Sequence, residues 1–278
     1  MPGRPIVFIS DFGLEDEFVG TCHGVIARVS RESRVIDLTH GIPPQDMLRA
    51  AVVLGQSVPY MPDDAVYLAV VDPGVGTERR AVAVEAGTGA LLVGPDNGVL
   101  SLAWEGLGGA VRAVEILTPP AVGEGPSRTF HGRDVFAPAA ALLAAAGALG
   151  DLGPDVDVAG LGSVSVPEPD VGAGAIDGEV LGVDRFGNVQ LNIRPEHLTR
   201  AGLDAAPHLV VRTIWQAERV RRVSTFGEAP LGELAALIDS RGWLAVVRNG
   251  GNAASALRLE LGGPVRIESP DEPALPGG

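Results

Sequence analysis

The chain has 278 residues, 46% of them apolar, which is room for one large or two ordinary domains with proper cores. Its formal net charge of −14 excludes sequence-independent binding to nucleic acid or to anionic membranes, because both need clustered positive charge. A single cysteine, Cys22, excludes an intramolecular disulfide and a cysteine-based zinc site.

The opening stretch MPGRPIVFIS has no long apolar signal segment and runs straight into a strand pattern. The longest apolar stretch, 135–150, is interrupted by Pro138 and is too short to span a bilayer. A cytoplasmic protein without membrane contact is therefore expected.

Ile6 to Ser10 reads as a first strand, followed by Asp11-Phe12-Gly13 and a helix from about Glu15 to Ser30. The helix stripe Phe18, Cys22, Val25, Val29 makes Cys22 a core residue. Val35 to Thr39 is a second strand, and Pro43-Pro44 open a helix with an apolar face of Met47, Ala51, Leu54 and Val58.

Ala65 to Val71 is a nearly unbroken apolar run, the pattern of a strand buried on both faces. It ends at Asp72, where Pro73, Gly74 and Gly76 force a tight, bare loop before a strand at Ala81–Val84. Ala90–Val93 is another strand, Pro95-Asp96-Asn97-Gly98 a turn, Val99–Trp104 a short helix and Val111–Ile116 a strand. A Pro/Gly-rich loop over 118–127 leads to Thr129-Phe130-His131-Gly132-Arg133-Asp134, and Val135–Ala148 reads as a buried alanine-rich helix. His131 thus precedes a helix N-terminus, where free backbone N–H groups favour an anion.

Strands alternating with helices predict an α/β N-terminal domain over 1–160, a largely parallel sheet flanked by helices. A composition shift marks a linker over 161–175. Residues 176–278 then read as a smaller all-β, barrel-like domain. Its expected strands are Gly178–Val183, Val189–Ile193, Leu209–Val211, a piece near Val220, Leu244–Arg248, Ala256–Leu261 and Pro264–Glu268, with one helix at Leu231–Ser240.

Asp11 and Asp72 each follow a buried strand, so both should reach one sheet edge, where ligands of open α/β sheets bind. A lone aspartate there caps a turn as readily as it does chemistry. Two together with Arg79 and His131 favour a site. Adjacent strand residues face opposite ways, so only one of Arg79 and Arg80 should point into it. Asp11, Asp16, His40, Asp46 and Asp72 include hard metal ligands, yet no short ligand spacing is present, so no metal is expected. DFGLED after the first strand also disfavours a dinucleotide fold. His23, His197 and His208 read as surface or packing histidines, and Arg133 with Asp134 as a local ion pair.

The segments FISDFG, THGIPPQD, VVDPGVGTERR, GPDNG, TFHGRDVFAP, DRFGNVQLNI and SRGWLAVVRNGGNAA resemble, in order and spacing, the S-adenosyl-L-methionine hydrolases, or SAM hydroxide adenosyltransferases. These are relatives of the fluorinating and chlorinating enzymes. The resemblance implies that water or hydroxide displaces methionine from the ribose C5′ of S-adenosylmethionine, the substrate, with no separate cofactor. It implies a homotrimer with sites at subunit interfaces. It implies that Asp72, Arg79 and His131 handle the water and that Asp11 binds the ribose hydroxyls. It assigns Asp184, Phe186 and Asn188 to the methionine amine and adenine, Ser240 and Arg241 to the methionine carboxylate, and the backbone around Arg248 to Gly250 to adenine.

The halogenating relatives carry tyrosine where this chain has Asp72, and tyrosine-serine in place of His131-Gly132. A carboxylate there repels a bare halide, which favours hydrolysis. The alternatives are a halide-dependent adenosyl transferase and a binding protein that senses S-adenosylmethionine without cleaving it. On charge grounds, pairing with Arg79 should lower the Asp72 pKa and leave His131 as the better proton acceptor.

Overall fold

The computed structural model describes residues 3–117 and 126–270, so most of the loop expected over 118–127 lies outside the described residues. The chain divides into two compact units, residues 1–165 and 166–278.

Among the described residues the first unit holds seven strands: β1 (Ile6–Ser10), β2 (Val35–Thr39), β3 (Val66–Val70), β4 (Ala81–Ala86), β5 (Leu91–Pro95), β6 (Ala110–Glu115) and β7 (Asp155–Val156). Their spatial order is β2-β1-β3-β5-β4-β6-β7. Pairs joining β2, β1, β3 and β5 are parallel and the remaining pairs antiparallel, so the sheet is mixed. Its α-helices among the described residues are α1 (Phe18–Val29), α2 (Met47–Ser57), α3 (Ser101–Gly106) and α4 (Ala137–Ala144).

Strand periodicity explains the layering. Val66, Leu68 and Val70 of β3 face a core with Cys22, Val25 and Ile26 of α1 and the alanines of α4. Tyr67, Ala69 and Val71 face the opposite core, with Ala50 and Leu54 of α2 and Trp104 of α3. A strand buried on both faces needs apolar side chains at every position, which is the run read from the sequence.

β1 winds through α1 to β2 on one side, and β2 winds through α2 to β3 on the other side of β1. The direction of winding therefore reverses between β1 and β3, and at such a switch point a crevice opens beyond the carboxyl ends of the strands. Ser10 lies level with Val70 across the β1–β3 pair. Asp11 and Asp72 consequently leave neighbouring strands at the same edge.

The second unit is a closed barrel with small helices. Its strands are β8 (Asp170–Gly172), β9 (Ala175–Val183), β10 (Val189–Leu191), β11 (His208–Arg212), β12 (Ala217–Arg222), β13 (Leu234–Ile238), β14 (Leu244–Arg248) and β15 (Pro264–Glu268). The ring runs β10-β14-β13-β12-β11-β15-β9 and closes through a β9–β10 pairing, with β8 attached at the side of β9. Val180, Leu191, Leu209, Val211, Val246 and Ile267 fill its interior. Two helices, α5 (Pro195–Ala201) and α6 (Ala253–Leu257), complete the unit.

Several sequence expectations are corrected. The segment expected as a helix over 231–240 contains β13, whose Leu-Ala-Ala-Leu-Ile run pairs with β12 and β14. Tertiary pairing overrides the helix propensity of Leu and Ala there. Part of the strand expected over 256–261 is instead the end of α6, started by Asn252, whose side chain accepts from Ser255 N. α5 was not expected; Pro195 at its first turn and Gly202 at its left-handed end bound it.

α1 starts at Phe18 rather than Glu15, because Gly13 takes a left-handed φ of 68° and the acids at 15–17 lie before the first turn. Its buried residues are Val19, Cys22, Val25 and Ile26, one step round from the expected stripe. α2 starts at Met47, capped by Asp46, with Pro43 and Pro44 outside it. Helix over the TFHGRD segment begins as a π-turn at Gly132–Phe136 and continues as α4 only to Ala144.

Residues 161–175 are not a free linker. Gly162 N donates to Asp96, Val164 N donates to Ser101 Oγ, and β8 pairs with β9. Among the described residues no helix is long and apolar enough to cross a membrane.

Candidate active site

Asp72 ends β3, and the loop after it returns the chain so that Arg79 lies against it. Arg79 Nε donates to Asp72 Oδ1 at 3.1 Å and Nη2 to Oδ2 at 2.5 Å, a two-pronged pair with both side chains nearly buried. Nη2 also lies 3.0 Å from Nδ1 of His131. A guanidinium only donates, so Nδ1 carries a lone pair and the neutral ring holds its proton on Nε2. Three of the four sequence-predicted residues at this edge thus converge through one side chain.

Phe136, fully buried, forms the floor of the arrangement. Its ring centroid lies 5.3 Å from the Arg79 guanidinium carbon and 6.4 Å from the His131 ring. The Arg79/Arg80 ambiguity resolves cleanly. Arg79 faces the site, and Arg80 pairs with Asp96 and donates to Gly160 O, which ties the GPDNG turn to the segment after β7. Asn97 of the same turn donates to Val71 O and braces the end of β3.

Burial reverses the expected direction of the Asp72 shift. Burial pushes the Asp72 carboxyl up, more than the charge and hydrogen bonds of Arg79 bring it down, so its pKa stands above the usual 3.8. Burial and the neighbouring Arg79 charge hold His131 below its usual 6.5. Asp72 is therefore a stronger base than an ordinary carboxylate and His131 a weaker one than an ordinary imidazole, which narrows the gap expected from charge alone.

Two glycines let the loops meet. Gly76 has φ 77°, and a Cβ there would stand 2.5 Å from the Arg128 carbonyl oxygen. A Cβ on Gly132 would stand 2.9 Å from the ring of Phe12, which packs on Phe130 with centroids 5.8 Å apart. The DFG, DPGVG and TFHGRD loops are thus in direct contact. Asp11 accepts from Gln45 N at 2.8 Å through Oδ2, which anchors the DFG loop to the THGIPPQD segment.

Arg133 and Asp134 form the expected local ion pair, and Asp134 also accepts from Ser127 N. Burial pushes the Cys22 thiol up to about 12, an inert core residue.

In the barrel unit, Asp184 closes the DRFGN turn on itself by accepting from Phe186 N, Asn188 N and Asn188 Nδ2. Phe186 is left 76% exposed. Gly187, at φ 82°, lies so close to Asn252 that any Cβ would overlap its side chain. The DRFGN turn thereby packs on the NGGNAA segment that carries Gly250. Ser240 and Arg241 stand in the β13–β14 turn. Asp239 holds that turn by accepting from Arg241 N and Trp243 N with Oδ1 and from Gln190 Nε2 with Oδ2. Arg248 Nε donates to Gly232 O, so its guanidinium holds a neighbouring loop.

Sequence reasoning missed Phe136, Asp239 and Asn252, which shape these loops. Only Asn252 carried a local signal, the cap pattern before Ala253. It also missed His23 and Asp37, whose meeting with His40 depends on the pairing of β1 with β2. His197 is a packing residue, its Nδ1 accepting from Arg194 N.

A doubly wound α/β unit with a buried carboxylate, guanidinium and imidazole at its switch point, followed by a seven-stranded barrel, defines the class of protein. The chain belongs to the SAM hydroxide adenosyltransferase family: that family's N-terminal domain model matches residues 6–153 and its C-terminal domain model residues 178–266. It is 48% identical over 263 residues to an (R)-S-adenosyl-L-methionine hydrolase of Salinispora arenicola, covering 94% of this chain and 97% of that one. An enzyme of the same name from Thermus thermophilus is 44% identical over 275 residues, covering 95% and 99%. A crystal structure of a conserved protein from Thermotoga maritima superposes with a TM-score of 0.87 at 33% identity, covering 94% and 99%.

Proposed function

We propose that this protein hydrolyses S-adenosyl-L-methionine to adenosine and L-methionine, with Asp72, Arg79 and His131 as its catalytic residues. The observation that carries the reading is the single guanidinium nitrogen of Arg79 shared between Asp72 and Nδ1 of His131. That sharing leaves the His131 Nε2–H and one Arg79 Nη1–H as donors without partners among the described residues, suited to hold the oxygen of a water molecule.

In the proposed step the water oxygen forms a bond to C5′ as the C5′–S bond breaks. The bonding pair goes to sulfur, which leaves as a neutral thioether, so no general acid is needed at that end. The surplus proton on the attacking oxygen passes to Asp72, whose raised pKa suits it to the task, and from there to solvent. Arg79 fixes Asp72 and His131 in place, and the buried setting excludes competing water.

Asp11 serves the ribose diol, since a carboxylate can accept two hydrogen bonds. Asp184, Phe186 and Asn188 serve the methionine amine and adenine, and Ser240 and Arg241 the methionine carboxylate. The backbone from Arg248 to Gly250 serves adenine. No cofactor takes part. A cytoplasmic homotrimer belongs to the same proposal, and light scattering in solution reads the subunit number.

Incubation with S-adenosylmethionine, with and without chloride or fluoride, followed by chromatography tests the reaction. Adenosine in every condition is the expected result. A halogenated nucleoside identifies a halide-dependent transferase, and bound but intact ligand a sensor.

A further inference from the structure

His23 of α1, Asp37 of β2 and His40, which follows β2, come together on the sheet's outer strand. Asp37 Oδ1 lies 2.8 Å from His23 Nε2 and 3.0 Å from His40 Nε2, and all three ligand atoms lie within 4.8 Å of one another. We propose that these three residues form a binding site for a divalent transition ion of the zinc class.

Two imidazole nitrogens and one carboxylate oxygen are the donor set that such ions take, with open positions left for solvent. Ligands at about 2.0–2.2 Å from one zinc ion stand roughly 3.3 Å apart in a tetrahedron, within a few tenths of an ångström of the 2.8 and 3.0 Å that separate Asp37 Oδ1 from the two imidazole nitrogens. His40 is buried, whereas His23 and Asp37 have side-chain exposures of 36% and 41%, which provides an entry path.

The outer partner needed to orient a ligating histidine is already in place. His40 Nδ1 lies 2.7 Å from Ser10 Oγ, which is fully buried and also accepts from Phe12 N. With Nδ1–H donating to Ser10 Oγ, Nε2 presents its lone pair to the ion. The Phe8 ring, 4.7 Å from the imidazole centroid, packs its other side.

The site also touches the loop that carries Asp11. Gly13 N donates to His40 O, and Ser10 directly precedes Asp11. An ion bound to His40 would therefore stiffen the exit of β1. This proposal goes beyond the hydrolase reading and does not depend on it.

The test uses full-length protein stripped with EDTA and titrated with ZnCl₂ by calorimetry, with Co²⁺ as a spectroscopic probe. Wild-type protein is expected to bind one Zn²⁺ per chain with a rise in Tm, and to give visible Co²⁺ ligand-field bands. His23→Gln and Asp37→Asn are expected to weaken binding at least tenfold and remove those bands. Both positions are partly exposed, so folding is retained, which circular dichroism checks. His131→Gln is the control and should bind as wild type does. Unchanged binding in both ligand variants, loss of binding in His131→Gln, or no binding by wild type each overturns the proposal.

Discussion

Arg79 Nη2 sits 3.0 Å from Nδ1 of His131, a residue 52 positions further along the chain, while the same nitrogen grips Asp72 Oδ2 at 2.5 Å. One planar fork thus sets both the tautomer of the imidazole and the orientation of the carboxylate. Lysine carries the same charge but offers a point-like head with no rigid fork. Arg79→Lys is expected to lower kcat by about 100-fold or more, the scale of losing a preorganised donor set, with the fold retained. Steady-state kinetics beside a thermal melt separate the two effects. A kcat within a few-fold of wild type would remove Arg79 from the centre of the site.

The pH dependence follows from the opposed shifts of the partners. Burial raises Asp72 above the 3.8 of an ordinary carboxylate, and burial with the Arg79 charge lowers His131 below the 6.5 of an ordinary imidazole. As pH falls, a proton on Asp72 removes the charge that fixes Arg79 and fills the proton acceptor. A proton on His131 Nδ1 turns an acceptor into a cation facing another cation. Both events reduce activity, so kcat should fall on the acid side, and the raised Asp72 places the onset of that fall above pH 3.8. An acid limb confined below pH 3.8 contradicts the assignment.

Gly76 tests the contact between loops. Its φ of 77° and the Arg128 carbonyl 2.5 Å from a would-be Cβ leave alanine no place without backbone movement. Gly76→Ala is expected to cost about 1–3 kcal/mol and to lower kcat, since the loops it joins carry Asp72 and His131. Gly20→Ala is the matched control, because it lies in α1 with nothing within 4 Å of its Cβ. Helix propensity predicts that it is neutral or stabilising by about 0.5–1 kcal/mol. Chemical denaturation of both variants reads the difference.

How much of this was legible in the sequence depended on whether the deciding contacts were local. β1 and β3 announced themselves because strands buried on both faces must be apolar throughout, and Asp72 was visible as the break in such a run. β13 was misread because Leu-Ala-Ala-Leu is a good helix sequence, and only its pairing with β12 and β14 makes it a strand. The switch point was implicit in the order of strands and helices. The meeting of Arg79 with His131 was not, since no spacing encodes a contact across 52 positions; family resemblance pointed to it. The His23, Asp37 and His40 cluster left no motif at all, being assembled from a helix, a strand and a loop.

The turn between β13 and β14 yields a prediction that separates positioning from chemistry. Asp239 spends both carboxylate oxygens on this turn, accepting from Arg241 N and Trp243 N at 2.9 and 3.0 Å and from Gln190 Nε2 at 2.6 Å. None of these bonds reaches Asp72, Arg79 or His131, and Asp239 acts by fixing how Ser240 and Arg241 are presented. Asp239→Ala frees the Arg241 and Trp243 amides and lets the turn relax. If Ser240 and Arg241 hold the methionine carboxylate, KM for S-adenosylmethionine should rise about tenfold or more, while kcat at saturation changes little. Uniform loss of binding raises KM without lowering kcat, and loss of transition-state stabilisation does the reverse. A fall in kcat at unchanged KM would place the role of this turn in the chemical step instead, and unchanged kinetics would remove it from substrate binding.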